Sequence, residues 1–187
     1  INMTDAREGF KEKQIAHNVW VYPTNSLTSI LRPIDAARMG KKIVFEKKFI
    51  RGKSVITTQD LESGWAGLSV KRKWRIPLEV QIHTDPFSPY FTGFKNKVRR
   101  MYAKKILSQA DSVRVVSAEL KSKVAKYTKA HIQVLPILVD QKRVEEGRVN
   151  FDLHARYHWK FIMLVVARLT VEKNVSLAIE LLARVRA

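Results

Sequence analysis

Short apolar segments alternate along this chain with longer segments that carry apolar residues at helical spacing. Six segments have the length and the Val- and Ile-rich composition of strands: Val19–Tyr22, Val55–Thr58, Leu78–His83, Val113–Ser117, Ile132–Pro136 and Phe161–Ala167. Five segments have the helical pattern: Leu27–Met39, Glu62–Trp74, Phe94–Ala110, Ala118–Thr128 and Asn174–Val185. Most strand segments are apolar at consecutive positions, which is typical of strands buried on both faces. The alternation predicts an α/β fold, in which a parallel sheet is covered by helices on both faces.

A polar stretch, Val139–Trp159, interrupts this alternation and has no strand period. The apolar run FIMLVVARL follows it and predicts a new buried strand, with a helix after it. A lone strand–helix pair cannot bury its own faces, so we expect this second unit to be cut short. The opening residues Ile1–His17 contain no convincing strand, so we expect the first unit to be incomplete as well.

The chain of 187 residues carries 35 Lys and Arg against 17 Asp and Glu, a formal net charge of +18. This excess favours polyanionic partners, such as nucleic acid, anionic lipid headgroups or phosphorylated substrates, without choosing among them. The absence of cysteine excludes disulfides, zinc–thiolate sites and cysteine nucleophiles, and it fits a reducing cytoplasm. No apolar run reaches the length of about 18 residues that a membrane-spanning helix needs.

Candidate functional residues follow the ends of the predicted strands, where parallel α/β sheets bind their ligands. They are Gln59, Asp60, Glu62, His83, Asp85, Ser117, Arg168 and Lys173. Several of these residues also have a simpler, structural interpretation. Asp60 and Ser117 can cap the helices that follow them, with Ser63 as an alternative cap for the first. His83 can be a buried residue that is hydrogen-bonded to the backbone. Arg168 and Lys173 can be solvated surface charges.

No metal-binding pattern stands out, and we predict no metal site. The five histidines are scattered along the chain. His154 and His158 have the spacing of a two-histidine site, but no glutamate lies between them as the zinc-protease motif requires. The sequence also contains no GxxxxGK[ST] phosphate loop, no GxGxxG fingerprint and no Gly-x-Ser-x-Gly elbow.

Basic residues concentrate on two predicted helices. They are Lys95, Lys97, Arg99, Arg100, Lys104 and Lys105 on one, and Lys71, Arg72, Lys73 and Arg75 at the end of the other. These residues form either a solvated face or a platform for anionic lipid. Alternatively, the interleaved aromatic residues would stack bases, in a basic α/β module that binds nucleic acid or another polyanion. No RNA-binding or helix-turn-helix signature supports nucleic acid, which is therefore the less favoured partner.

Several segments, in their order along the chain, resemble the GT4-type glycosyltransferases, whose GT-B fold has two Rossmann-like domains. They are VITTQDLESGWAGL, PLEVQIHTDPFSPYF, ADSVRVVSAELKSKV, IQVLPILVD and VVARLTVEKNVSLAIELLARV. The most specific are ADSVRVVS, which in the family lies late in the N-terminal domain, and VVARLTVEKN, which opens the C-terminal one. The resemblance implies a partial acceptor-side Rossmann-like domain over residues 1–140. An interdomain linker over 141–160 and the start of the nucleotide-sugar donor domain over 161–187 would follow.

The same resemblance implies transfer of a sugar from a nucleotide-sugar donor to an acceptor, with retention at the anomeric carbon. Arg168 and Lys173 match the family's paired basic residues at the donor diphosphate. Fixed cations there stabilise the departing charge, and no metal or other cofactor is expected. His83 matches the family's histidine facing the transferred sugar and is the predicted catalytic residue. The weaker, acceptor-side candidates are Gln59, Asp60, Glu62 and Asp85.

The implied acceptor is a lipid-linked or polysaccharide precursor, and the implied location is cytoplasmic, with peripheral attachment to an anionic membrane surface as an option. Two family features have no counterpart here: a glycine-rich loop early in the N-terminal domain and a glutamate pair late in the C-terminal domain. We therefore expect a truncated glycosyltransferase that is inactive on its own. A catalytically inactive remnant is the remaining alternative.

Overall fold

The structure is a computed structural model that describes residues 12–24, 26–28, 31–88, 93–147, 151–158 and 161–186. The strands are β1 (Lys13–Ala16), β2 (Val19–Val21), β3 (Ile56–Thr58), β4 (Leu78–Ile82), β5 (Ser112–Val115) and β6 (His131–Val134). The helices are α1 (Arg32–Glu46), α2 (Leu61–Trp74), α3 (Phe94–Leu107), α4 (Ala118–Val124), α5 (Gln141–Glu145), α6 (Leu153–Tyr157) and α7 (Val175–Arg186). The chain divides into two compact units, Ile1–Ile137 and Leu138–Ala187.

The first unit is built on a sheet of four parallel strands in the order β3–β4–β5–β6. The register pairs Thr58 with Val80, Val80 with Val113, and Val113 with Ile132. Because side chains alternate along each strand, these four in-register residues share one face of the sheet. The predicted α/β class with a parallel sheet flanked by helices is confirmed.

Only one face of this sheet is apolar. In β4, whose sequence is LEVQI, the three apolar residues are buried, whereas Glu79 and Gln81 between them are only half-buried. On that second face, Thr57 Oγ1 donates to Glu79 Oε1 at 3.2 Å, and Gln81 Nε2 donates to Thr57 Oγ1 at 3.0 Å. The expectation of strands buried on both faces was wrong, because the alternate positions of β4 are polar.

The helices α2, α3 and α4 pack on the apolar face. Their buried residues form one cluster with those of the strands: Leu61, Leu68, Ala103, Ile106, Leu107, Leu120 and Val124. The approach of α2 is so close that a Cβ at Gly67 would lie 2.8 Å from Thr58 Cγ2 and 2.9 Å from Leu78 Cδ1. In the described part of the chain, both buried clusters lie on this side of the sheet. Helices α2, α3 and α4 therefore cover this face of the sheet in the described part of the chain.

Helix α1 begins and ends later than predicted, spanning Arg32–Glu46 rather than Leu27–Met39. Pro33 lies in its first turn, where a fixed φ and a missing N–H are tolerated. The helix continues past Met39 and packs closely on α2 at Gly40. A Cβ at that position would lie 3.0 Å from Val70 Cγ2. The buried Ile43 and Val44 then extend its apolar stripe.

The strands β1 and β2 form an antiparallel hairpin that the sequence only half predicted. The strand predicted at Val19–Tyr22 is observed as Val19–Val21, but Lys13–Ala16 forms a strand where none was predicted. Its short KQIA segment offers no apolar run, and its pairing depends on the turn instead. Asn18 adopts a left-handed φ of 58° in that turn, a conformation that asparagine tolerates well.

The predicted strand Phe161–Ala167 is wrong. Residues 161–168 have no regular secondary structure, and Phe161 and Leu164 are 66% and 74% exposed. A strand needs a neighbour to satisfy its backbone N–H and C=O groups, and the described residues of this unit include no other strand. The helix predicted after it is confirmed as α7. Of the helices that the structure describes, none is long and apolar enough to cross a membrane.

Candidate functional site

The carboxyl ends of two neighbouring strands bring several candidate residues to one edge of the sheet. β3 ends directly before Gln59 and Asp60, and β4 ends directly before His83. The two strands are hydrogen-bonded neighbours, with Thr58 paired to Val80. The three candidates therefore follow adjacent strand ends, at the edge where parallel α/β sheets bind ligands.

His83 is exposed and opens a loop, residues 83–88, whose conformation is fixed by side chains. Asp85 Oδ1 accepts a hydrogen bond from the backbone N–H of Phe87 at 2.8 Å, which closes a tight turn. The Phe87 ring packs on Tyr127, with 4.2 Å between ring centroids. The loop that carries the histidine is thus tied to the 3₁₀ turn that follows α4.

Two cations hold the same loop from neighbouring helices. Lys123 Nζ, on α4, lies 3.0 Å from Asp85 Oδ2 and 2.6 Å from Glu119 Oε1. The hydrogen bond with Glu119, followed by that with Asp85, raises the pKa of Lys123, which therefore stays charged. Arg100 Nη2, on α3, donates to the carbonyl oxygen of Ser88 at 2.9 Å. Both carboxylate oxygens of Asp85 have partners, so this residue helps to fix the loop around His83.

Two other candidates act as helix caps, which is the simpler interpretation of each. Asp60 Oδ1 accepts from the backbone N–H of Ser63 at 2.6 Å, and Ser63 Oγ accepts from the N–H of Asp60 at 3.2 Å. Ser117 Oγ accepts from the N–H of Leu120 at 3.2 Å and caps α4. Gln59 is exposed beside the first cap. The Glu62 side chain lies outside the described residues.

The donor-side candidates lie in the second unit, on the turns that lead into α7. The N–H of Thr170 donates to the carbonyl of Arg168 at 2.9 Å, and the N–H of Lys173 donates to that of Thr170 at 3.0 Å. Asn174 then takes a left-handed φ of 44° before the helix begins at Val175. This path places both cations ahead of the amino end of α7, with Lys173 exposed.

Comparison with known protein families finds a match, which covers nearly all of the first unit and the start of the second. The sequence model of Glycosyltransferase Family 4 matches residues 3–143, which is most of the chain. The chain belongs to glycosyltransferase family 4. Membership gives it a role in glycosyl transfer at the level of the family. No individual curated protein matches it.

The matched range of this family 4 glycosyltransferase includes the strand ends with His83 and ends before Arg168 and Lys173. The resemblance to GT4-type glycosyltransferases is confirmed. The match does not assign roles to individual residues, so the catalytic, donor and acceptor assignments stay predictions. The domain boundaries predicted at residues 140 and 160 stay predictions too.

Sequence reasoning missed one residue that positions the site, Asp111 in the segment ADSVRVVS. Its Oδ2 accepts from Lys71 Nζ at 2.6 Å and from the N–H of Leu78 at 2.7 Å. Burial raises the pKa of this carboxyl, but the hydrogen bonds from Lys71 and Leu78 outweigh burial and lower it. Asp111 thereby fixes the start of β4, whose other end carries His83. An acid directly before a predicted strand was the available signal.

The basic face predicted on α3 is not one continuous platform. Arg100 binds the loop carbonyl of Ser88, and Lys104 Nζ lies 5.2 Å from the centroid of the Tyr127 ring. The Lys95 side chain lies outside the described residues. On α2, Lys71 is bound to Asp111. Part of the basic surface therefore serves the fold of this glycosyltransferase.

The described histidines and acids form no group of three or more that could hold a metal ion. His154 lies in α6, whereas His158 follows the helix at its left-handed C-cap, with φ 51°. The two residues therefore do not share a continuous helix face, which the two-histidine spacing requires.

Proposed function

We propose that this family 4 glycosyltransferase moves a sugar from a nucleotide-sugar donor to a lipid-linked or polysaccharide precursor, with retention at the anomeric carbon. The bond between the anomeric carbon and a diphosphate oxygen breaks, and a bond to an acceptor hydroxyl oxygen forms. The hydroxyl proton passes to the departing nucleoside diphosphate. Family membership supports transfer, and the finer assignments rest on the residues at the strand ends and before α7.

The observation that carries the proposal is the position of His83. It is exposed at the carboxyl end of β4, on a loop held by the Asp85 turn, the Lys123 ion pair and the Phe87–Tyr127 contact. An imidazole on a fixed loop can hydrogen-bond a sugar hydroxyl in one orientation, which lowers the entropic cost of aligning donor and acceptor. Gln59 and Asp60, at the neighbouring strand end, supply polar groups for the acceptor.

Arg168 and Lys173 are proposed to bind the donor diphosphate. The negative charge on the leaving oxygen grows as the glycosidic bond breaks, so fixed cations stabilise the transition state more than the bound donor. Both residues precede α7, whose amino-terminal N–H groups and dipole also favour an anion. The nucleotide sugar is a co-substrate, and the expectation of no metal or other cofactor stays a prediction.

Nucleoside diphosphate binding and the rate of sugar transfer, measured on three variants made in a full-length version of the enzyme, test these assignments. Arg168→Ala and Lys173→Ala should each weaken calorimetric binding of the nucleoside diphosphate by roughly 10-fold or more, because each removes a charged hydrogen-bond donor. His83→Ala should lower the transfer rate by up to about 100-fold through lost alignment, with diphosphate affinity unchanged.

Two exposed residues provide matched controls: Arg184→Ala on α7 and His131→Ala at the start of β6. Both should retain wild-type binding and transfer. Unchanged affinity in Arg168→Ala and in Lys173→Ala would remove the donor assignment. Binding of single-stranded RNA with a steep salt dependence, and none of nucleoside diphosphate, would favour the basic binding module instead.

A further inference from the structure

The outer surface of α1, α2 and α3 contains two adjoining concavities, with volumes of about 390 and 460 Å³. They share Lys41, Trp65, Ser69 and Lys73, and together they form one feature, the α1–α3 groove. Its cationic lining residues are Arg38, Lys41, Lys42, Arg72, Lys73 and Lys105. Among the described residues that line the two parts, none is an aspartate or a glutamate. The groove is therefore a concentrated cationic surface.

Three of these cations have ammonium groups with no ion-pair or hydrogen-bond partner among the described residues. Arg38 lies 3.5 Å from Asp35, Lys42 lies 3.7 Å from Glu46, and Arg72 Nη2 donates to Gln109 Oε1 at 2.9 Å. In contrast, no carboxylate of the described chain lies within ion-pair distance of Lys41, Lys73 or Lys105. Their charge is available to an external anion, and their convergence on one groove distinguishes them from cations that serve the fold.

Apolar and aromatic side chains lie among these cations and remain exposed. Phe45 is 69% exposed, Ile34 45%, Tyr102 41% and Trp65 37%. Cations on long flexible stems, next to Trp, Tyr and exposed apolar groups, suit the boundary between lipid headgroups and acyl chains. An RNA strand would use the aromatic rings and the charges, but it would leave the aliphatic Ile34 side chain without an apolar partner.

We propose that the α1–α3 groove docks this protein on membranes that contain anionic phospholipid. The headgroup phosphates would lie against Lys41, Lys73 and Lys105, while Phe45 and Trp65 enter the interfacial region. This inference does not depend on the transferase assignment, because the groove shares no residue with the His83 loop or with the turns before α7.

Sedimentation with vesicles tests the proposal directly. The full chain should bind vesicles of phosphatidylglycerol and phosphatidylcholine and should not bind phosphatidylcholine alone. Lys41→Glu, Lys73→Glu and Lys105→Glu together should weaken binding by at least about 100-fold, because each cation near an anionic surface contributes several-fold to partitioning. A milder triple Lys→Gln variant serves if charge reversal disturbs folding, and circular dichroism checks both.

A matched triple variant separates a specific groove from general charge. Lys121, Lys126 and Lys129 are exposed on and after α4, outside the groove, and their reversal to Glu gives the same net charge, +18 − 6 = +12. The control should retain most of the binding. Equal loss in both triple variants would overturn the proposal, since it would show that only net charge matters.

Tryptophan fluorescence gives an independent readout of the apolar contact. Binding to the anionic vesicles should shift the emission to shorter wavelength, and Trp65→Phe should remove most of that shift although other tryptophans remain. No vesicle binding at low salt would overturn the proposal. The proposal would also be overturned if the wild-type protein bound single-stranded RNA but not vesicles, and if the groove variant lost that RNA binding.

Discussion

At the scale of single residues, the charged pairs of this protein differ in what they contribute. The Lys42–Glu46 pair is 3.7 Å long and has side chains that are 62% and 49% exposed. Exposed pairs of this kind contribute about 0–1 kcal/mol, because water and salt screen them. Asp111 is different, because it binds the Leu78 N–H as well as Lys71, and its loss leaves that N–H without its acceptor.

We expect Asp111→Ala to lower the free energy of unfolding by about 1–3 kcal/mol, the cost of an unpaired polar group. The matched control is Glu46→Gln, which should change it by less than about 1 kcal/mol because that pair is exposed. Urea unfolding at neutral pH measures both variants. An Asp111→Ala effect no larger than that of Glu46→Gln would show that this carboxylate does not hold β4 in place.

The lowered pKa of Asp111 also gives this residue a pH signature. Its folded pKa lies below the ordinary value of 3.8, so its ionic contribution is fully present above that value. The contribution is lost as the pH falls through the lowered folded pKa. Asp111→Asn keeps an acceptor for Leu78 but removes the charge, so its stability should converge with wild type in acid. A stability gap that stays constant at all pH values would contradict this account.

At the scale of elements, α2 connects the scaffold to the candidate site. Its amino end begins at the capping box of Asp60 and Ser63, beside the carboxyl end of β3. Its middle approaches the sheet through Gly67, and its outer side lines the α1–α3 groove with Trp65 and Lys73. A change at its N-cap residue, Asp60, can therefore act on stability, on binding of the acceptor, or on both.

Two substitutions of Asp60 separate these roles. Asp60→Ala removes the cap and should lower the free energy of unfolding by about 1 kcal/mol. Asp60→Asn keeps a capping oxygen and should leave stability almost unchanged. If Asp60 binds the acceptor through its charge, Asp60→Asn should raise the KM for the acceptor while thermal unfolding is unaffected. Wild-type kinetics in the stable Asn variant would identify Asp60 as a cap alone.

The sequence predicts those elements whose pattern is decided locally. α2 was predicted from Glu62 to Trp74 and observed from Leu61 to Trp74, because helical spacing and the preceding Asp both mark its start. The strand predicted at Phe161–Ala167 was wrong, because strand formation depends on a partner as well as on apolar residues. Lys13–Ala16 shows the opposite case. Its sequence pattern is weak, yet it forms a strand because the turn at Asn18 brings it beside β2.

The candidate site was predictable in its position but not in its contacts. Strand ends direct attention to His83 because parallel sheets bind ligands there. The partners of its loop come from far along the chain: Lys123 pairs with Asp85, and Tyr127 packs on Phe87. A single sequence carries no periodic signal for such contacts, and in Lys123 it shows only one basic residue among many.

At the scale of the whole molecule, the buried residues among those that the structure describes all lie in the first unit. The described hydrophobic core runs from Ala37 to Ile132. In the second unit, the described residues are exposed or at most half-buried, and Leu164, Val166 and Val171 are among the most exposed. Burial of apolar surface is the main favourable term in folding, so the two units should differ sharply in stability.

We expect a chain that ends at Ile137 to unfold in urea with nearly the same midpoint as the full chain, because it keeps every residue of the two buried clusters. A chain of Leu138–Ala187 should show no cooperative transition, since none of its described residues is buried, it has no disulfide, and so short a segment cannot offset its conformational entropy. If the first fragment had a free energy of unfolding more than about 1 kcal/mol below that of the full chain, the second unit would contribute to stability. A cooperative transition in the second fragment would show that its exposed apolar residues find partners among themselves.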